Sequence, residues 1–141
     1  MLEKINFADL KIHSFQYWDL FLHPNQYPYI GRCYAWAKRA EAESLIDMNE
    51  AERNELFQII IPAWNLAITK LFKHDLSNLA IFSNSARHLH AHFIPRYQEK
   101  RIFANVEFTD PNPNGNYSPY PKKKLSIAIL QEIKKQIENQ L

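Results

Sequence analysis

The sequence predicts an α+β fold in which two helical segments accompany an antiparallel sheet. Three observations carry this prediction: aromatic-rich segments separated by a turn, a histidine segment at strict alternation, and stretches with apolar residues at helical spacing. The chain has 141 residues, 46% of them hydrophobic, which suits one domain over residues 1–141 with its own core.

The first two strands are predicted near the N-terminus. Phe15 to Leu22 is rich in aromatic residues, and the turn-forming residues Pro24 to Pro28 follow it. From Gly31 to Lys38, large or charged residues alternate with Cys33 and two alanines, which indicates a strand with one small-residue face. We expect these two strands to form a hairpin with Cys33 buried.

A long helix is predicted to begin at Asn49 and run towards Phe72. Asn49 and Glu52 have the spacing of a capping box, with Asn in the place of Ser or Thr. Pro62 lies inside the helical pattern, so it should kink the helix or divide it in two. The expected apolar face consists of Leu56, Ile59, Ile60, Trp64, Ile68 and Leu71.

Two further strands are predicted around the histidines. Leu79 to Phe82 is a short apolar run, and His88 to Tyr97 is a longer alternating one. Ser83 to Arg87 leaves room only for a tight connection between them.

The C-terminal part should contain an extended segment, a loop and a helix. Arg101 to Phe108 has strand-like composition, whereas Asp110 to Pro121 holds four prolines and a glycine and is expected to be a loop. Lys122 to Leu141 is predicted to be a terminal helix, with an apolar residue at every fourth position: Leu125, Ile129, Ile133 and Ile137.

Composition excludes several functional classes. Only two glycines occur, so the glycine-rich loops of P-loop and Rossmann proteins are not available. The net charge of +2 is too small to predict nucleic-acid binding. The single cysteine suits a reducing compartment. Met1 to Leu10 carries charges and has no apolar core of a signal peptide, and no apolar run could span a bilayer. We therefore expect a cytoplasmic protein without a membrane partner.

The most specific pattern is His88-Leu89-His90-Ala91-His92, which places three of the chain's six histidines within five residues. On a strand, these histidines point to one face while the apolar residues between them face a core. His88 and His92 would start roughly 13 Å apart on an extended strand, too far to share one metal ion unless the strand bends. A phosphate chain could run along the row, so phosphate chemistry is favoured over a metal site built from two histidines.

The segment His88 to Ile94 resembles the His-φ-His-φ-His-φ-φ signature of the histidine triad superfamily, where φ is hydrophobic. Pro95-Arg96-Tyr97 is also typical of that family. Upstream, Leu20 to Arg32 is similar to its first two strands, and Phe108 to Tyr120 is similar to the tail of a diadenosine tetraphosphate hydrolase-like branch. The resemblance implies an antiparallel sheet with one long helix and a C-terminal helix, assembled as a homodimer.

The resemblance also implies an activity and a site. His90 matches the family's central histidine, which attacks the α-phosphorus of a nucleotide and forms a nucleotidyl-histidine intermediate. His88 and His92 match the outer members, which orient the nucleophile and bind phosphate or leaving-group oxygens. The implied substrates are dinucleoside polyphosphates or nucleotide phosphoramidates. No cofactor is required for the covalent step, although a divalent metal bound to the substrate's distal phosphates could modulate the rate.

Four more residues are candidates for substrate binding. Asn84 precedes the histidines by four residues and its amide can donate to a phosphate oxygen. Arg87 and Arg96 flank the row, and an arginine fork suits phosphate. Asn25 lies where histidine triad proteins often carry an asparagine near the ribose. His13, His23 and His74 are expected to have no functional role.

The sequence departs from the family pattern at two places. The connection Ser83 to Arg87 is short and has no glutamine, which affects how the leaving group is protonated and which phosphate chain length fits. Arg32 stands after the strand glycine, where many members have a histidine. Two alternative functions therefore stay open: a non-catalytic nucleotide-binding module, and a metal-binding protein that uses two of the three histidines.

Overall fold

The structure, a computed structural model, describes residues 4–141. Met1 to Glu3, the start of the segment in which we expect no signal peptide, lie outside the described residues. A five-stranded antiparallel sheet has the order β1-β2-β3-β5-β4, and a separate hairpin follows it. The strands are β1 (Lys11–Ser14), β2 (Trp18–Leu22), β3 (Cys33–Ala37), β4 (Leu76–Ala80), β5 (His90–Arg96), β6 (Arg101–Phe103) and β7 (Val106–Phe108), and the helices are α1 (Glu50–Glu55), α2 (Ile61–Phe72) and α3 (Ile127–Glu138).

The N-terminal strand β1 was not predicted, and the expected strand over residues 15–22 is shorter than predicted. The chain reverses at Phe15, whose amide donates to the Trp18 carbonyl at 2.8 Å, so β1 ends before this turn and β2 begins after it at Trp18. Only Ile12 of the four β1 residues is buried. The hairpin of β2 and β3 is confirmed, and Cys33 is fully buried.

The turn between β2 and β3 is closed by the buried amide of Gln26. Its nitrogen donates to the carbonyls of His23 and Arg32, and its oxygen accepts from the Gly31 amide at 2.7 Å. Gly31 has φ +97° and lies against Ile68, where an added Cβ would come within 2.8 Å of the Ile68 Cδ1 atom. A side chain is excluded there by both backbone conformation and space. This turn therefore holds β3 tightly against α2.

The long helix runs without a gap over residues 50–72, and a π-helical turn interrupts its regular geometry just before Pro62, where a kink or a division was predicted. Asn49 and Glu52 form the capping box, and α1 passes into a π-helical turn at Leu56–Ile60 before α2 begins. The wider turn places the amide of Ile61 on the Leu56 carbonyl, so the chain accommodates a proline that has no amide proton to donate. The predicted apolar face is wrong at Ile59, which is 53% exposed because the π turn shifts the helical phase.

The three C-terminal predictions differ in their outcome. Residues 101–108 form the β6–β7 hairpin, and residues 110–121 contain no helix or strand. The terminal helix begins at Ile127 and not at Lys122, since Ser126 is its N-cap and accepts from the Ile129 amide at 3.2 Å. Likewise β4 occupies Leu76–Ala80 and not Leu79–Phe82, because it pairs with the far end of β5.

The sheet has one buried and one open face. The buried face carries alternate residues of β2, β3 and β5 and packs against α2, where Trp64 contacts Phe93 with ring centroids 5.3 Å apart. In residues 4–141 no helix is both long and apolar enough to cross a membrane. The opposite face of the sheet carries the histidines of β5.

Candidate active site

The open face of the sheet is ordered by strand register. In one row across the sheet, Lys11 lies opposite Phe21, Phe21 opposite Tyr34, and Tyr34 opposite His92. In the next row, Trp36 lies opposite His90. Antiparallel pairing therefore brings side chains from four strands, distant in sequence, onto one surface.

A cavity of about 700 Å³ lies over this surface. It is lined mainly by apolar and aromatic side chains, with His90 and His92 at one side. Such a volume and lining suit a small organic ligand held by a few polar groups. The remaining lining residues are Phe7, Ala8, Lys11, Phe21, His23, Pro24, Asn25, Tyr34, Trp36 and Ala86.

The His90 ring has its tautomer fixed by the backbone. Its Nδ1 atom lies 2.6 Å from the carbonyl oxygen of His88. A carbonyl only accepts, so Nδ1 carries the proton and a neutral His90 has its lone pair on Nε2. His90 is only 8% exposed, yet it lines the cavity. The arrangement presents an unprotonated ring nitrogen to whatever occupies the cavity.

Trp36 holds the rings of two histidines in place. Its indole stacks on the His88 ring at 4.3 Å and on the His90 ring at 5.4 Å between centroids. The Nε2 atom of His88 donates to the Ala37 carbonyl at 2.6 Å. His88 precedes the first residue of β5 and does not line the main cavity, whereas His90 and His92 both do. The structure therefore departs from the expectation that all three histidines line one pocket.

His92 is a partly buried histidine close to His90 and Arg32. Burial first, and then the charges of His90 and Arg32, lower its pKa from 6.5 to about 4, so the ring is neutral at pH 7. Its Nδ1 atom is buried and has no hydrogen-bond partner among the described residues. The Nε atom of Arg32 is buried and unpartnered in the same way. Such unpartnered buried atoms are rare in folded proteins, and the one on His92 belongs to a side chain that lines the cavity.

Arg32 is fixed by tyrosines of the C-terminal loop. Its guanidinium donates to the Tyr120 hydroxyl at 2.7 Å and lies over the rings of Tyr117 and Tyr120. The residue is 4% exposed. A permanently charged group thus lies close to His92, at the position where the family resemblance leads one to expect a histidine.

His23 belongs to the site, contrary to the sequence-based expectation. It lines the cavity with its ring centroid 6.0 Å from that of His92. Its Nδ1 accepts from the Asn25 amide at 3.0 Å, so the neutral ring carries its proton on Nε2. Burial and the charges of Arg32 and His92 hold its pKa far below the usual value. His23 is therefore a neutral hydrogen-bond donor beside His92.

The substrate-binding candidates separate into three groups. Asn25 lines the cavity. Asn84 and Arg87 are exposed on the connection before β5, and neither is among the lining residues. The structure does not bring Arg96 to the cavity: it is 2% exposed and forms a two-bond ion pair with Asp110.

The remaining guanidinium hydrogens of Arg96 are also occupied. They donate to the Asn78 side chain and to the carbonyls of Gly115 and Asn112, at 3.0, 2.7 and 2.6 Å. Arg96 is on the same face of β5 as His90 and His92, but the C-terminal loop covers it there. Its role in the structure is to attach this loop to the sheet.

Part of the missed site had a signal in the sequence. The alternation of β3 already separated Tyr34 and Trp36 from the alanines, but only the register with β5 places them beside the histidines. His23 gave no such signal, because its neighbour His92 is far away in sequence. Within residues 4–141, no group of three or more His, Cys, Asp or Glu side chains is arranged to hold a metal ion.

Comparison with known proteins finds likeness at the level of structure. No family model and no curated protein matches the sequence. A histidine triad protein from Sinorhizobium meliloti superposes with a TM-score of 0.72 at 16% identity, covering 94% of this chain and 89% of that one. A histidine triad protein from Marinobacter aquaeolei superposes with a TM-score of 0.71 at 18% identity, covering 96% of this chain and 91% of that one. The Plasmodium falciparum diadenosine triphosphate hydrolase superposes with a TM-score of 0.64 at 14% identity, covering 98% of this chain and 79% of that one. At these identities the likeness establishes the fold.

Proposed function

We propose that this chain, whose fold is that of the histidine triad proteins, is a nucleotide hydrolase that acts through a nucleotidyl-His90 intermediate. The observation that carries the proposal is the hydrogen bond from His90 Nδ1 to the His88 carbonyl. It leaves the Nε2 lone pair available to a substrate in the cavity. An imidazole must be neutral to attack phosphorus, and in this tautomer the unprotonated nitrogen is Nε2, the atom that is not bonded to the His88 carbonyl.

The reaction would proceed in two displacements. In the first, Nε2 of His90 attacks the α-phosphorus, and the bond from that phosphorus to the leaving group breaks. In the second, water attacks the same phosphorus, the P–N bond breaks, and His90 and a nucleoside monophosphate are released. Both steps place negative charge on the phosphoryl oxygens, so catalysis depends on groups that neutralise it.

His92, which contacts His90, and its neighbours His23 and Arg32 can stabilise that charge. The neutral ring of His23 can donate through Nε2, and His92 has a free buried Nδ1. Arg32 supplies a positive charge that does not titrate. His88 acts indirectly, through its carbonyl and through its shared stacking with Trp36. Asn84 and Arg87 remain predictions, since both lie on the connection before β5 but neither lines the cavity.

The aromatic part of the cavity suits the nucleoside. The rings of Phe21 and Tyr34 stack at 5.1 Å with planes 9° apart and form one wall. A base can pack against such a surface. The predicted contact of Asn25 with the ribose is consistent with its position in the lining. Dinucleoside polyphosphates and nucleotide phosphoramidates are the proposed substrates, and the structural likeness to a diadenosine triphosphate hydrolase supports the first class.

Two alternatives give different experimental outcomes. A non-catalytic nucleotide-binding module would bind nucleoside monophosphates but leave every substrate intact. A metal-binding protein would retain a stoichiometric metal after purification. We propose that no cofactor is needed for the covalent step and that a divalent metal acts only through the substrate's distal phosphates.

Assembly and location are also proposals. The edge strand β4 leaves backbone groups on one side unpaired by this sheet, and Leu76 and Leu79 on it are 56% and 44% exposed. An apolar edge of this kind favours pairing with a second copy, so we propose a homodimer joined through β4. We further propose that the protein acts in the cytoplasm.

The deciding experiment is hydrolysis of a panel of dinucleoside polyphosphates and nucleotide phosphoramidates. Wild-type protein should release nucleoside monophosphate from at least one of them, and a chelator should not abolish the reaction. The reaction is not stopped with acid, because the P–N bond of the intermediate is acid-labile. Alkaline denaturation followed by mass measurement should detect the nucleotidyl adduct. Absence of turnover with intact monophosphate binding would favour the non-catalytic module.

A further inference from the structure

A second cavity opens beside the main one. It has a volume of about 370 Å³ and shares Pro24 and Asn25 with the main cavity. Its other lining residues are Ile5, Tyr27, Lys122, Lys123 and Lys124. A ligand longer than a nucleoside monophosphate can therefore pass from one cavity to the other along the shared residues.

The lysine segment is held in place at both ends. On one side, the Tyr120 hydroxyl accepts from Arg32. On the other, Leu125 is buried and Ser126 caps α3. The segment between these attachments leaves Lys122 and Lys123 exposed. Their ammonium groups are consequently presented over the second cavity by a constrained backbone.

The second cavity also has an aromatic surface. Tyr27 is half-buried, with its ring tilted against Phe108 at 5.8 Å between centroids. The ammonium of Lys123 lies 5.9 Å from the Tyr27 ring centroid. Lysines and a half-buried aromatic ring together match a ligand that has phosphates followed by a base.

The charge balance of the two cavities favours an anion throughout. Among the described residues that line them, none is Asp or Glu. The positive side chains are Lys11 in the lining of the main cavity, Arg32 close to His92, and the lysines 122–124 in the lining of the second cavity. The charge of Lys122 also contributes to the lowered pKa of His23. An extended polyphosphate would therefore meet positive side chains in both cavities.

We infer that the second cavity, formed by Tyr27 and the lysines 122–124, binds the distal phosphates and the second nucleoside of a dinucleoside polyphosphate. The inference rests on the proposed function and narrows it to substrates with a long leaving group. The main cavity would hold the nucleotide that is transferred to His90. The second cavity would hold the part that leaves.

The test compares a short and a long ligand on matched variants. The probes are adenosine monophosphate and a methylene-bridged, non-hydrolysable analogue of diadenosine tetraphosphate, with affinities measured by calorimetry at low salt. The test variant is K122Q/K123Q. The control is K70Q/K135Q, which removes the same charge from exposed positions on α2 and α3.

We expect the analogue to bind wild-type protein more tightly than the monophosphate does. K122Q/K123Q should lower the affinity for the analogue about tenfold, because two exposed charge contacts are lost, and should leave the affinity for the monophosphate unchanged. The control should change neither affinity, and added salt should remove most of the difference between wild type and K122Q/K123Q.

Three results would overturn the inference, and they separate it from the proposed function. Equal affinity of wild type for both ligands, or an unchanged analogue affinity in K122Q/K123Q, rejects the second cavity but leaves the hydrolase proposal intact. Equal weakening of both ligands in that variant assigns the lysines to general charge and not to the distal phosphates. If wild type binds neither ligand, the hydrolase proposal itself fails.

Discussion

Replacing Arg96 by Met should destabilise the fold strongly. Arg96 and its partner Asp110 have side chains that are 2% and 0% exposed, and the guanidinium makes five hydrogen bonds. Methionine removes all five and leaves a buried carboxylate without its counter-charge. Breaking a buried pair from one side costs about 3–5 kcal/mol. For a chain of this size, such a loss lowers Tm by roughly 10–15 °C.

The assay is urea denaturation followed by tryptophan fluorescence, since Trp18 and Trp64 are fully buried. Arg87→Met is the control, because Arg87 is an exposed arginine from the connection before the same strand. It should change the free energy of unfolding by no more than about 0.5 kcal/mol. Double replacement of Arg96 by Met and Asp110 by Asn should recover part of the loss, since no buried charge then remains.

A different result would make Arg96 a substrate-binding residue. If Arg96→Met leaves the free energy of unfolding unchanged while KM rises and kcat stays the same, the guanidinium contacts substrate and the loop is not attached through it. Parallel loss of stability and activity, with activity restored at low temperature, would agree with attachment of the loop.

Three further predictions concern the histidines and the assembly. His90→Asn should abolish turnover while monophosphate affinity stays within a few-fold, whereas His92→Asn should cost about 10²–10³ in kcat because it removes a stabilising contact and not the nucleophile; near-normal turnover by His90→Asn would reject the nucleophile. The Tm of the wild type should fall as the pH drops from about 6.5 towards 4, because His92 and His23 bind protons in the unfolded chain but stay unprotonated in the folded chain. The decline in Tm should be shallower in His92→Asn, and equal slopes would contradict the lowered pKa of His92. Leu79→Lys should convert a dimer to a monomer in light scattering, because a charged edge strand resists pairing; a wild type that is already monomeric would reject the proposed homodimer.

Local chemistry made much of the architecture predictable. The capping box at Asn49, the interruption before Pro62 and the alternation of β3 each depend on residues a few positions apart, and all three are present in the structure. The predicted start of α3 at Lys122 was wrong, because Ser126 caps the helix and sets its first residue at Ile127, although the apolar spacing already begins at Leu125. β1 was missed because three of its four residues are exposed and give little apolar signal.

The site was less accessible to sequence reasoning because its contacts are long-range. Arg96 has the residue type and the strand face expected of a phosphate ligand, yet the loop that covers it comes from residues 110–115. His23 has an unremarkable local sequence, and its place in the cavity lining becomes apparent only from its contact with His92 on β5. In both cases tertiary packing, which no local pattern encodes, decides which side chains can meet a ligand.

The acceptor that fixes the tautomer of His90 has a consequence for how this site tolerates mutation. The acceptor belongs to the peptide group of His88 and not to its ring, so any amino acid at position 88 supplies the same oxygen. Substitution can alter the stacking on Trp36, but it cannot delete the group that keeps the proton on Nδ1. An exchange of residue 88 should therefore leave the acceptor of the His90 ring in place and act on the site only through the lost contacts of the His88 ring with Trp36 and Ala37.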